Sequence, residues 1–179
     1  MLGMSKYDDK VEALAELNIV PIAISYEWES CDVLKTLELY ASRNEKYFKK
    51  PGEDLNSILT GIMMPKGRVH IEIGEMITRE ELSRFARYTA SDYNRHVASL
   101  IDQRICSAYK LSPNNYIAHD LRYGNNDYAD HYTEEQKDAF LQHMLTLQPY
   151  SETCDMDTLC DIFLGIYSNP VDSKVKYGG

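Results

Sequence analysis

Nowhere in the 179 residues does an apolar run approach the roughly 20 residues of a membrane-spanning helix; the longest useful one is Ile19 to Ile24. The chain has no C-x-x-C pair. Its four cysteines, at 31, 106, 154 and 160, suit reduced thiols in a cytoplasmic protein rather than a disulfide framework. Positive charge is scarce, with 19 Lys and Arg against 28 Asp and Glu and a net charge of −9. That balance argues against a nucleic-acid binder, which needs a basic surface to displace counterions. A phosphate-cradling G-x-x-x-x-G-K-[ST] loop is missing, since Gly61 to Gly67 has the wrong spacing and Arg68 follows it. So are a G-x-S-x-G elbow and an H-E-x-x-H helix. The opening MLGMSKYDDK contains no apolar signal segment.

What remains is an ordinary folding composition, 44% hydrophobic and 26% charged, long enough for a real core. Charge is uneven along it. Residues 1–111 are nearly balanced at −2, whereas 112–179 carry −7. Two regions are therefore expected, 1–111 and an acidic helical extension 112–179, with the turn formers Leu111 to Asn115 as the seam.

Periodicity gives the elements. Residues 8–17 pattern as a short amphipathic helix. Ile19 to Tyr26 reads as a buried strand of the parallel kind, with Pro21 marking an edge or irregular start. Val33, Leu34, Leu37, Tyr40 and Ala41 share a helix face, and Asp54 to Met64 predicts another helix. Val69, Ile71 and Ile73 alternate with His70 and Glu72, predicting a strand with one buried face. Thr78 with Glu81 and Thr133 with Gln136 are capping-box signatures for two further helices. A longer helix carries Tyr93, Val97, Leu100, Ile101, Ile105 and Ala108 on one stripe, and a last one is expected from Asp155 to just before Pro170. The fold class is α/β: part of a sheet with flanking helices, then a mainly helical extension.

The polar clusters have plain readings. Asp155, Asp157 and Asp161 lack the glycine and closing glutamate of a calcium loop and suit a helix start. His143, Cys154 and Cys160 do not have zinc-pair spacing, and adjacent His119 and Asp120 rarely point the same way. No metal and no cofactor is expected. Two features stand out. Arg43, Lys46, Lys49, Lys50, Lys66 and Arg68 gather positive charge around two turns of an acidic protein, a patch suited to phosphate or an anionic lipid surface. Ser25 to Glu29 leaves the C-terminal end of the first strand, where ligands bind in open α/β sheets, although Tyr26 and Trp28 suit packing equally.

The run Asn18 to Tyr26, NIVPIAISY, resembles the fourth conserved block of the glycerolipid acyltransferases, a V/I-P strand. Arg68 to Glu75, RVHIEIGE, is similar to the family's strand into a G-E-P-I segment, with Met76 in place of the proline. The longer strings IVPIAISYEWESCDVLK and KKPGEDLNSILTGIMMPKGRVHIEIGE resemble a bacterial branch, of the 1-acyl-glycerol-3-phosphate type, that carries a helical C-terminal extension. The resemblance implies transfer of a fatty acyl group from acyl-CoA or acyl carrier protein to glycerol 3-phosphate or its monoacyl derivative. It also implies a place on the inner face of the membrane.

The family's first block, H-x-x-x-x-D, supplies the general base and the carboxylate that orients it. Five residues after His70, His96, His119, His131 and His143 stand Glu75, Ile101, Gly124, Gln136 and Gln148, so the block is not in these residues. The second and third blocks are missing from the 18 residues before the V-P strand. The resemblance therefore implies a C-terminal portion with no catalytic residue of its own. On that view Val20, Pro21, Tyr26 and Glu27 would border the acceptor or acyl pocket; the six basic residues above match no defining family motif, and their charge alone suggests contact with phosphate or headgroups. The alternative is a non-catalytic lipid- or partner-binding protein of the same descent. In either case an incomplete sheet leaves apolar surface exposed, which favours self-association.

Overall fold

The computed structural model describes residues 9–43 and 46–177. It is mixed α/β and mostly helical, with one two-stranded antiparallel sheet. In chain order the elements are α1 (Lys10–Ala15), β1 (Ile22–Tyr26), α2 (Asp32–Ala41), α3 (Glu53–Met63), β2 (Val69–Ile73), α4 (Arg79–Ser83), α5 (Ala90–Ala108), α6 (Pro113–Tyr123), α7 (Glu134–Met144) and α8 (Met156–Tyr177). Short 3-10 turns at Ala129–His131 and Leu145–Tyr150 flank α7. Two compact units divide these elements between them, each drawn from separated stretches of chain.

The first unit takes residues up to Ile24, His70–Tyr109 and the last residues from Ser173. Its core is Val11 and Leu14 of α1, Ile77, Leu82 of α4, and Tyr93 and Val97 of α5. Local signals start each helix. The Asp9 carboxylate accepts the Val11 N–H at 2.7 Å. Thr78 and Glu81 close the capping box expected for α4, and Thr89 caps α5 by accepting the Asp92 N–H. Asn18, in the left-handed region at φ 48°, turns the chain out of α1.

The second unit comprises Ser25–Val69 and Lys110–Asp172. Ile117 and Ala118 of α6, Phe140 of α7, Leu147, and Leu159, Phe163, Leu164 and Tyr167 of α8 form its core. The Trp28 ring packs into this cluster, 6.1 Å from Phe140, so it is a packing residue and not part of an open ligand edge. The capping box Thr133/Gln136 opens α7 as the sequence predicts.

Five expectations are corrected. The strand pair is antiparallel: Glu27 N–H donates to Arg68 O, and Gly74 N–H to Pro21 O, both at 2.9 Å. β1 is not a buried parallel-type strand, because only Ala23 and Ser25 are covered while Ile22 and Ile24 are half exposed. The alternation of β2 is real, but neither of its faces is buried. Val69, Ile71 and Ile73 are 48%, 62% and 70% exposed, since alternation says which residues share a face and not whether anything covers it. The turn formers at 112–115 open a helix: Ser112 with Asn115 caps α6, and Pro113 occupies its first turn, where no amide bond is lost. Finally, α8 does not stop at Pro170 but carries it internally and continues to Tyr177. Val171, buried to 1% exposure, anchors the turn after the proline and offsets the missing hydrogen bond.

Candidate functional site

Helix α3 is amphipathic in an unusual sense. Its half-covered residues are Glu53, Ser57, Thr60 and Gly61, a small and polar face. That face rests on the start of α2: Cys31 Sγ lies 3.5 Å from Ser57 O, and a Cβ on Gly61 would stand 3.6 Å from Cys31 Sγ. The apolar residues Leu55, Ile58, Leu59 and Ile62 follow i, i+3, i+4, i+7 spacing and point away, with exposures of 61%, 58%, 49% and 71%. Met63 continues the stripe at 80%, and α3 buries no residue at all. A helix normally turns such a stripe to its own core, so this one is shaped for contact with something else.

The turns at either end bring the basic residues to this helix. Gly52, at φ +83°, forms the N-cap of α3, and the Glu53 carboxylate accepts from Lys50 N–H at 2.9 Å and from Tyr47 hydroxyl at 2.5 Å. Glu53 is held below its ordinary value, first by the Tyr47 hydroxyl and then by the Lys50 amide. Lys49 pairs with Asp54 at 2.7 Å. Lys46 Nζ sits 5.5 Å over the ring of Phe48, itself 74% exposed. After α3, Lys66 Nζ donates to Met64 O. Arg68 forks onto Glu27, with Nη2 to Oε1 at 3.1 Å and Nε to Oε2 at 3.3 Å. Partial burial works against the Glu27 carboxylate, but the Arg68 backbone amide and then its guanidinium outweigh it and hold the group low. Five cations thus flank the helix; Lys49 and Arg68 are paired with Asp54 and Glu27, and Glu38 also acts on Lys49.

The other sequence-derived residues lie as follows. Val20 is 43% exposed and Pro21 is buried, its carbonyl committed to the sheet. Tyr26 is half-buried at the end of β1, and Glu27 is taken by Arg68. Arg43 lines a cleft with Leu39, Arg122 and Asp161.

One polar group escaped sequence reasoning. The buried Asp32 at the start of α2 accepts the Tyr167 hydroxyl on Oδ2 at 2.6 Å, and His143 Nε2 lies 2.6 Å from the same oxygen. Its Oδ1 takes the Val33 amide at 2.7 Å. Burial, and then the Asp32 charge, push the Tyr167 hydroxyl far above its ordinary value, so it remains a donor. Asp32 lies more than a hundred positions from both His143 and Tyr167, so no local spacing reveals the group. The pair has the elements of a base and its orienting carboxylate. With the Trp28 ring at 4.8 Å and the Phe163 ring at 5.9 Å from His143, it ties α2, α7 and α8 together.

No family model, curated protein or solved structure matches the chain. The α3 face is therefore interpreted by its chemistry alone.

Proposed function

We propose that this chain is a membrane-facing C-terminal portion of a glycerolipid acyltransferase of the 1-acyl-glycerol-3-phosphate type. On this reading it serves phospholipid synthesis, and an H-x-x-x-x-D segment outside these residues does the proton transfer. The V-P and G-E strings support the descent. The observation that carries the membrane reading is the outward apolar stripe of α3 with lysines at both ends. Among the described residues no helix is long and apolar enough to cross a membrane; on this reading α3 attaches by lying in the interface.

Magnitudes assign the work. Fully burying one large aliphatic side chain is worth about 2 kcal/mol, whereas a lysine at an anionic surface contributes about 1 kcal/mol and is screened by salt. Four stripe residues and Met63 therefore set the affinity, and the lysines set the preference for anionic lipid.

Co-sedimentation of the chain with vesicles of phosphatidylcholine, with and without phosphatidylglycerol, tests this directly. Binding is expected, stronger with the anionic lipid at low salt. The double variant I58D/I62D should lose it while keeping its circular dichroism, because neither side chain is in the core. Equal binding by that variant would remove α3 from the account.

The second reading is a non-catalytic lipid-binding protein. It is favoured by the engagement of His143 with Asp32 and with the Trp28 and Phe163 rings, in the contacts that tie α2, α7 and α8 together. Acyl transfer from acyl-CoA to lysophosphatidate separates the two. The chain alone should give no product, and product on adding a family catalytic portion in trans selects the first reading. Vesicle binding with no product in either case selects the second.

A further inference from the structure

The second unit holds a cleft of about 360 Å³ lined by Leu39 of α2, Arg43, Arg122 of α6, and Asp161, Ile162, Gly165, Ile166 and Asn169 of α8. Its make-up is divided: aliphatic surface from Leu39, Ile162 and Ile166, and two guanidinium groups against the one carboxylate of Asp161. Arg122 is held in place before any ligand arrives. Its Nε donates to Asp161 Oδ1 at 3.0 Å, and its Nη1 to Ser168 Oγ and Asn169 Oδ1 at 3.1 Å each. Among the described residues Nη2 has no acceptor.

Gly165 makes this arrangement possible. A Cβ there would lie 3.1 Å from Nη1 and 3.3 Å from Cζ, so the absence of a side chain lets the guanidinium lie against α8. A guanidinium ordered by three acceptors loses little freedom on taking a further anion. Arg43 also faces the Asp155 carboxylate, which with Asp161 limits how much negative charge the cleft accepts.

We propose that this cleft binds a monoanionic carboxylate on an unbranched apolar chain, the head group on Arg122 Nη2 and Arg43 and the chain along Leu39, Ile162 and Ile166. The site stands on its own residues and is independent of the α3 reading. Two arginines line the cleft, with Asp161 on Arg122 and Asp155 beside Arg43, so little positive charge is left over and a phosphate dianion is disfavoured relative to a single carboxylate. The apolar wall explains why a small inorganic anion would be a poor occupant.

Isothermal titration of the whole chain with octanoate, octyl phosphate and octan-1-ol tests it. Octanoate should bind saturably, at one site, and more tightly than the other two. Arg43→Ala removes one charge-assisted contact and should weaken octanoate about tenfold, with Arg43→Lys in between. Leu39→Asp, at a half-exposed position, should abolish binding without lowering the melting temperature. Octan-1-ol binding as tightly as octanoate would overturn the role of the guanidiniums, and tighter octyl phosphate would overturn the carboxylate assignment. No saturable octanoate binding, or unchanged binding by Arg43→Ala, would overturn the site.

Discussion

At Gly67 one hydrogen atom in place of a methyl holds a turn together. The residue sits at φ +60°, and a Cβ would lie 2.6 Å from Glu27 Oε2, 2.9 Å from Glu27 Cβ and 3.0 Å from Trp28. Gly67→Ala therefore combines backbone strain with a clash against the Glu27–Arg68 fork. It should cost about 1–3 kcal/mol in urea unfolding, and an unchanged midpoint would contradict the turn geometry. Glu81 makes a different kind of prediction. The Thr78 amide, first, and the Arg104 guanidinium hold its carboxylate below the ordinary value, against some burial. A depressed carboxylate contributes stability that is present above its unfolded value and lost as pH falls through its folded one. Melting temperature should thus fall as acid is added below about pH 4, the range of a free glutamate, and Glu81→Gln should flatten that limb. A variant with an equally steep acid limb would place the linkage elsewhere. None of this is visible in the sequence beyond the capping box itself, because the partners Arg104 and Glu27 are distant in the chain.

At the scale of elements, α3 and α8 mark what periodicity can and cannot say. Both helices are legible from their apolar spacing, but spacing is silent on which way a stripe faces. In α8 the stripe of Leu159, Phe163, Leu164 and Tyr167 is buried, and in α3 the stripe of Leu55, Ile58, Leu59 and Ile62 is bare. Small residues decide the difference, since Ser57 and Gly61 let α3 approach Cys31 by its other face. Proline misleads for a related reason. Pro170 reads as a stop, yet burial of Val171 one residue later carries the helix through it. Pro170→Ala should restore a backbone donor and stabilise the chain by about 1–3 kcal/mol in chemical denaturation; a destabilised variant would show that the ring itself packs usefully. Helix α6 went unread because its Ser-Pro-Asn-Asn start has the composition of a turn. The same residues serve an N-terminus, where serine and asparagine satisfy free amides and proline loses none.

For the whole molecule the governing fact is apolar surface left uncovered. Ile22 and Ile24 on β1, and Ile71 and Ile73 on β2, leave one face of the sheet half exposed or more. Such a face binds hydrophobic dye in the native state and favours association. The double variant I71K/I73K should reduce dye binding and concentration-dependent sedimentation without lowering the melting temperature. Unchanged dye binding would shift attention to α3. The sequence alone determined the helix starts, the alternation of β2, the residues available to the cores and the basic turns in an acidic chain. Those are consequences of local backbone capping and of side-chain spacing. The tertiary structure decided the antiparallel pairing, the reach of α8 past Pro170, the meeting of Asp32 with His143 and Tyr167, and the outward stripe of α3. Each depends on which distant surface lies against a given face, and no window of neighbouring residues contains that information.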